Sequence, residues 1–238
     1  MQPTRRRLSG RTLAALVMLC AVPALIALGV TVFDDRKYYL ISLLIIACTL
    51  VPFAVAFERR RPMARELVVI ATLVALTVAG RAAFYWAPQI KPVSALVIVA
   101  GVCLGAESGL LTGAMSAFLS NFFFGQGPWT PWQMFAMGCI GGLAGSLFSR
   151  RGRRPRKGML CLFGFLAAVV LYGAVMNTAS VLLWSHSLQW ELIAAACAAG
   201  LPMDLLHGGS TALLLYLLAD PVQGKLDRMR EKYGWGRG

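Results

Sequence analysis

Long apolar blocks constrain this chain more than any other feature of its sequence. They follow neither the period of an amphipathic helix nor that of a strand, and the alternating segments of a membrane barrel are absent. Blocks of about 20 apolar residues are what a bilayer core requires of a helix. We therefore predict an all-α, polytopic transmembrane helical bundle with eight spans, at about 13–33, 38–57, 65–84, 93–105, 108–124, 131–148, 159–184 and 192–218.

The composition agrees with a membrane protein. Hydrophobic residues make up 58% of the chain and charged residues only 14%, whereas a soluble domain carries about 25% charged residues. The net charge of +13 could indicate nucleic-acid binding. However, the basic residues form short runs between apolar blocks, so we interpret them as contacts with anionic lipid and as determinants of orientation. No nucleic-acid partner is expected.

The cysteines and the N-terminus carry no special signal. The six cysteines lie inside apolar blocks without a C-x-x-C motif, so we expect buried thiols rather than a metal site or a disulfide. The stretch from Leu13 to Phe33 is too long for a signal peptide and lacks a clear cleavage site, so we expect a retained helix.

The basic residues predict the orientation of the chain. Nineteen of the 23 Lys and Arg residues fall on one side of the predicted bundle: at the N-terminus, in 58–66, in 149–157 and in the C-terminal tail. The positive-inside rule then places both termini in the cytoplasm, in the inner (plasma) membrane of a bacterial-type cell.

The predicted spans divide into three parts. Residues 1–63 form a two-helix membrane extension, residues 64–220 form a six-helix core, and residues 221–238 form a basic cytoplasmic tail. Residues 93–124 are too long for one span. The turn Gly105-Ala-Glu-Ser-Gly109 divides them into two short helices.

The predicted outer loops are rich in aromatic and amide side chains. The run from Asn121 to Met134 contains two glycines for tight turns and two prolines that stiffen the loop. We expect a rigid cap presenting Trp129, Trp132, Gln126 and Gln133, suited to a planar or amide-bearing molecule. An interfacial aromatic belt or a lipid-facing re-entrant loop would explain part of the pattern.

Polar residues inside predicted spans are a second signal. Arg81 lies near the outer end of its helix, and Asp204 and His207 share one face of the last span. We weigh two interpretations equally: a pocket under the outer loops, or an interhelical polar clamp, for instance of Asp204 with Arg81 or His207. Glu107, at the inner turn, is expected to be solvated or to cap a helix.

Small residues recur at four-residue intervals in the core. Gly101, Gly105, Gly109 and Gly113 form one such series, and Gly138 and Gly142 another. This spacing allows close approach of helices in lipid, and we favour packing within the chain. The stripe Ala71, Ala75, Ala79 and Ala83 on the first core helix could instead face another membrane subunit.

No motif for catalysis or nucleotide binding is present. There is no G-x-S-x-G, H-E-x-x-H or glycine-rich phosphate loop. Ser210 and His207 lie three residues apart on one helix, whereas a nucleophile and its base normally come from different elements. We expect no enzyme activity, no catalytic residues, no metal and no cofactor.

The core resembles the substrate-specific (S) components of energy-coupling factor (ECF) transporters, over roughly residues 65–219. The resemblance is carried by the run from Lys91-Pro-Val through Phe122-Phe-Phe-Gly-Gln-Gly-Pro-Trp-Thr-Pro-Trp-Gln-Met134, and by Gly200-Leu-Pro-Met-Asp-Leu-Leu-His207. The run Gln126–Gln133 is most similar to that of cobalamin-type S components. The resemblance implies a vitamin importer of the cell membrane that works with a transmembrane coupling subunit and two cytoplasmic ATPases.

The resemblance also implies roles for particular residues. The Ala-x-x-x-Ala stripe, here Ala71, Ala75 and Ala79, would contact the coupling subunit. The two extra N-terminal helices depart from the six-helix pattern. The substrate would lie at the outer end, among Arg81, Tyr85, Trp86, Gln89, Lys91, Asn121, Gln126, Trp129, Trp132, Gln133, Asn177, His186, Asp204 and His207.

Several functional hypotheses remain open at the level of sequence. A cobalamin or related corrinoid carries many amides and suits the amide-rich loops, but a queuosine precursor or riboflavin would suit them too. A membrane enzyme using Asp204, His207 or Glu107 is a second class of function. A scaffold without a ligand is the third, and the rigid aromatic-amide loop argues against it.

Overall fold

The helices agree with the predicted all-α architecture. A computed structural model of the chain describes residues 64–149, 155–185 and 189–233, and this part contains no strand. Its helices are α1 (Ala64–Ala83), α2 (Val93–Leu104), α3 (Ala106–Phe124), α4 (Thr130–Phe148), α5 (Lys157–Leu166), α6 (Gly173–Ser185) and α7 (Trp190–Tyr233). A π-helical segment, Ala167–Tyr172, joins α5 to α6 without a break. The predicted spans 13–33 and 38–57 lie outside the described residues.

Three helices of the described part are long and apolar enough to cross a membrane. They are α1, the continuous run Lys157–Ser185, and Trp190–Lys232 within α7. A shorter apolar helix, α2, has only 12 residues. The predicted core spans therefore correspond to real helices, although length and composition alone mark only these three as candidate spans.

Side-chain contacts show that α1 and α3 run in the same direction. Glu66 near the start of α1 accepts a hydrogen bond from Ser108 near the start of α3, and Arg81 at the end of α1 meets Asn121 at the end of α3. We call the end of the bundle with segments 84–92 and 125–129 the upper end. The lower end then contains Gly105 and the start of α5.

The short helix α2 lies at the centre of the bundle. Its residues Val97, Ile98, Val99 and Ala100 are completely buried, and it packs against α1, α3, α4 and α7. This surrounding explains why α2 is apolar on all sides, since every face of the helix contacts another helix.

Glycines bring the backbones of α2, α3 and α4 into direct contact. A Cβ added at Gly101 or at Gly109 would collide with the carbonyl oxygen of Gly141, and one added at Gly113 or Gly145 would also meet backbone atoms. We call Gly101, Gly109, Gly113, Gly141 and Gly145 the glycine seam. The seam packs helices of the same chain against one another, which is the interpretation that the sequence favoured.

Two details of the seam differ from the sequence pattern. Gly138 and Gly142, which the four-residue interval indicated, lie at ordinary contact distance from Leu110, while Gly141 and Gly145 make the close contacts. Gly105 separates α2 from α3 with a φ of 97°, a left-handed conformation that favours glycine. The predicted division of residues 93–124 into two helices is therefore correct.

The last helix is longer than predicted. We expected its span to end near residue 218, but α7 continues to Tyr233 and contains Pro202 and Pro221. Burial of Ala219, Gln223 and Leu226 shows that this continuation packs against the rest of the protein. Packing of an apolar stripe thus extends the helix into the basic tail.

Candidate functional site

The start of α2 meets polar groups of α7 and of segment 84–92. Ser94, the second residue of α2, contacts His207, which lies about 25 Å along α7 from its first residue. Segment 84–92 contacts the same part of α7. The Ser210 hydroxyl of α7 donates to the carbonyl oxygen of Gln89 (2.9 Å), whose φ of 59° turns the chain toward α2.

Asn121 is the centre of a hydrogen-bond network that joins three helices. Its carbonyl oxygen accepts from Arg81 Nη1 of α1 (2.8 Å), and its amide nitrogen donates to Thr130 Oγ1 (2.9 Å) and Gln133 Oε1 (2.8 Å) of α4. The Arg81 guanidinium also donates to Ser120 (2.5 Å). Because Asn121 is only 1% exposed, its role in the described structure is to position Arg81 and Gln133.

The turn between α3 and α4 is held by its own polar groups. Thr130 Oγ1 donates to Gln126 Oε1 (2.9 Å) and lies 3.3 Å from the backbone nitrogen of Gly127, while Gln126 Nε2 donates to the Phe118 carbonyl (3.2 Å). The ring of Trp129 packs where a side chain at Gly127 would stand. The turn is therefore fixed, as its sequence indicated.

The predicted cap presents fewer side chains than expected. Trp132 is 5% exposed and belongs to the interior, and Gln133 is half-buried and bonded to Asn121. Gln126 and Trp129 are exposed, as predicted, with Trp129 41% exposed. The reason is that α4 begins at Thr130, so helical geometry turns the side chains at 132 and 133 toward the bundle.

An aromatic and cationic stack lies beside the network. Phe124 at the end of α3 stacks on Tyr85 at a centroid distance of 5.5 Å, and the Arg81 guanidinium lies 4.8 Å from the centre of the Phe124 ring. Trp86 is largely exposed. Arg81 thus combines neutral hydrogen bonds with a cation–π contact.

His207 occupies the deepest part of the site. Its Nε2 lies 2.8 Å from the Ser94 hydroxyl, and its ring meets Tyr172 edge-on at 4.9 Å. Its Nδ1 is buried without a hydrogen-bond partner. Ser210 donates to the backbone carbonyl of His207 rather than to its ring, so these two residues do not form a nucleophile–base pair.

Asp204 forms a hydrogen bond with α6, whereas the clamp interpretation named residues of α1 and α7. Its carboxylate accepts from Asn177 Nδ2 of α6 (2.9 Å). Gly173 and Gly200 allow this contact, because a Cβ at Gly173 would meet Asp204 and one at Gly200 would meet Asn177. The structure therefore pairs Asp204 with Asn177 instead of Arg81 or His207.

Lys91 adds a second cation to the upper end. The ring of Pro92, its neighbour in the chain, packs against Gly80 of α1. Partial burial lowers the pKa of Lys91, and the nearby charge of Arg81 lowers it further. The site is therefore electropositive where α1 meets segment 84–92.

Sequence reasoning missed several residues that the structure places in the site: Ser94, Ser120, Thr130, Tyr172 and Ser210. Tyr172 carried a usable signal, since a tyrosine in the middle of an apolar span is far from the interfacial belt. The serines carried none, because small hydroxyl side chains also occur in ordinary helix contacts. Of the predicted residues, His186 lies outside the described part.

The polar side chains of the site come from several helices. Asn121 links polar side chains of α1, α3 and α4, His207 of α7 meets Ser94 at the start of α2, and Asn177 of α6 bonds to Asp204 of α7. Within residues 64–149, 155–185 and 189–233, no three His, Cys, Asp or Glu side chains come together as a group that could hold a metal ion.

Comparison with known proteins relates the chain to one protein family. Residues 62–223 match the family model described as "ECF-type riboflavin transporter, S component". No curated protein and no solved structure matches the chain. The matched range begins just before α1 and leaves out the predicted N-terminal extension.

Proposed function

The chain belongs to the family of ECF-type transporter S components, and from this premise we propose that its upper end captures a micronutrient and delivers it inward. An S component is the substrate-binding membrane subunit of such a transporter and works with a membrane coupling subunit and ATPases. The observation that carries the proposal is the set of polar side chains at the upper end, where Asn121 links α1, α3 and α4 and His207 of α7 meets Ser94 at the buried start of α2.

A flavin is the first candidate ligand. The matching family is described by riboflavin transport, and a planar ring system with amide-like edges suits a site with exposed aromatic rings and amide side chains. A corrinoid, which the run Gln126–Gln133 favours by its resemblance, is the second candidate. A queuosine precursor is the third.

The proposed orientation places the upper end outside the cell. Arg65, Arg156 and Lys157 lie at the lower end of the described helices, and the positive-inside rule puts such residues in the cytoplasm. The substrate would then enter from the outer side, and both chain termini would be cytoplasmic.

The face of α1 that points away from the bundle is the proposed contact with the coupling subunit. Ala71, Ala75 and Ala79 are exposed, while Val69 and Leu73 on the opposite face are buried. A row of small side chains allows another membrane helix to approach closely.

Binding of a vitamin panel by the purified full-length chain tests the proposed function. Isothermal titration calorimetry in dodecyl maltoside should show saturable binding of one vitamin. Riboflavin binding would support the flavin assignment. Cobalamin or cobinamide binding would replace it with the corrinoid assignment. A folded sample that binds no member of the panel would contradict substrate capture.

An uptake assay distinguishes the role of the proposed coupling face from the role of the binding site. Ala75→Trp should leave vitamin binding unchanged and abolish uptake in cells that hold the complete transporter, because the indole blocks close helix approach. The matched control is Leu213→Trp on an exposed face of α7, which should retain uptake. Normal uptake by Ala75→Trp would remove the assigned interface.

A further inference from the structure

Two cationic side chains flank one contact at the upper end, since Arg81 follows Gly80 in the chain and Lys91 precedes Pro92, whose ring packs against Gly80. Arg81 ends α1, and Lys91 lies in segment 84–92. The position of Lys91 is fixed from both sides: Pro92 packs against Gly80, and the Gln89 carbonyl accepts from Ser210 of α7. The chain therefore places Lys91 between the end of α1 and the His207 region of α7.

Neither cation has a carboxylate partner among the described residues. Arg81 is bonded to the neutral side chains of Ser120 and Asn121 and stacks on Phe124. Asp204, an acidic residue of the same region, is bonded to Asn177. Two partly buried positive charges at the upper end thus lack the anion that normally offsets the cost of their burial.

Neutral polar groups complete the surroundings of the pair. Gln133 is tied to the same Asn121 that holds Arg81. His207, more than nine-tenths buried, retains an Nδ1 without a partner. When Ser94 donates to Nε2, the tautomer places a proton on Nδ1, and the imidazole becomes another donor. Cationic and neutral donors in one region are characteristic of sites for oxyanions.

We propose that Arg81 and Lys91 form a binding site for an anionic oxygen group, a phosphate or a carboxylate, carried by the imported molecule. The proposal rests on the proposed function, since the site lies at the upper end where the substrate would enter. A lipid headgroup has the same chemistry, and the experiments below separate the two sources.

The first experiment uses inorganic phosphate, so it does not depend on knowing the vitamin. Full-length protein in dodecyl maltoside is melted in phosphate and in chloride at equal ionic strength. Phosphate should raise the melting temperature by about 2 to 4 °C. Lys91→Gln should lose this shift, because Lys91 makes no hydrogen bond or ion pair in the described part, whereas Lys157→Gln, the same change at the lower end, should keep it.

The source of the anion is tested with mixed micelles that contain phosphatidylglycerol. A stabilisation that depends on Lys91 and appears with this lipid, but not with soluble phosphate, would assign the site to a lipid headgroup and overturn the substrate proposal. Equal melting temperatures of the wild type in all conditions would overturn the anion site itself.

The second experiment compares riboflavin with riboflavin 5′-phosphate by calorimetry. The phosphate ester should bind about tenfold more tightly to the wild type, and Lys91→Gln should bind both equally. Equal binding by the wild type would overturn the proposal. A protein that shows the phosphate shift but binds neither flavin would keep the anion site and overturn the flavin assignment, so the two failures are distinguishable.

Discussion

The glycine seam and the upper end connect the same helices in opposite ways. In the seam, the backbones of α2, α3 and α4 touch, and no side chain lies between Gly101 and Gly141. At the upper end, α3 and α4 meet through hydrogen-bonded side chains centred on Asn121. Backbone contact admits only one separation, whereas side chains can exchange partners. The seam can therefore serve as a fixed frame and the upper end as the part that responds to a ligand.

The largest effect should follow from adding a methyl group to the seam. Gly141→Ala forces a Cβ into the Gly109 carbonyl, and overpacking of this kind destabilises by about 3 kcal/mol. Gly142→Ala is the matched control, because its Cβ would meet Leu110 at ordinary distance. Thermal unfolding in detergent measures both. Equal melting temperatures would show that the seam is not a fixed frame.

A somewhat smaller loss is expected from Asn121→Leu at the upper end. The change keeps the size of the side chain but leaves Arg81, Thr130 and Gln133 without their shared partner, at a cost of about 2 kcal/mol. Ser116→Ala is the control, because the buried Ser116 hydroxyl has no hydrogen-bond partner in the described structure. If Asn121→Leu melts like Ser116→Ala, the network does not hold the upper end together.

Ser210→Ala should cost less than either change. It removes the hydroxyl proton that Ser210 shares between the carbonyl oxygens of Gln89 and His207, a loss of about 1 kcal/mol. The more specific readout is the mobility of segment 84–92, which hydrogen exchange at its amides would show as faster exchange. Ser146→Ala, which removes a bond to Gly142 within α4, should leave segment 84–92 unchanged. Unchanged exchange in Ser210→Ala would remove the proposed link between the segment and α7.

The smallest effect is expected at the ion pair of the lower end. Lys157 Nζ lies 2.8 Å from Asp220 Oδ2, and both side chains are solvent-accessible. Exposed pairs contribute little and are screened by salt. Asp220→Asn should shift the melting temperature by less than about 2 °C, and 0.5 M salt should abolish the difference. A larger shift that persists in salt would show that the frame also depends on this contact.

The sequence predicts the frame better than the site. Apolar blocks and Gly105 locate the six core segments within a few residues, because a span must be apolar along its length. The end of α7 was missed because packing of Ala219 and Leu226 extends it past the apolar block. The four-residue interval correctly indicated Gly101 and Gly109 as members of the seam. It indicated Gly142 instead of Gly141, because spacing alone does not reveal which face of a helix meets a neighbouring helix.

The sequence predicted the types of residue at the site but not the hydrogen-bond partner of each residue. Arg81, Asn121 and Gln133 do lie together, as their positions near the outer helix ends suggested. Sequence could not show that Asn121 is buried or that Asp204 bonds to Asn177, since both depend on how helices rotate about their axes. Whether these residues touch the substrate remains a prediction.

The π-helical segment Ala167–Tyr172 also bears on the history of the chain. A π-turn holds one residue more than the α-turn that it replaces, so the segment is equivalent to a single inserted residue. Removing that residue would rotate everything after it by about 100° and turn Asn177 away from Asp204. A relative with a regular helix here is therefore expected to show a one-residue gap between Gly164 and Gly173 and a different side chain opposite Asp204.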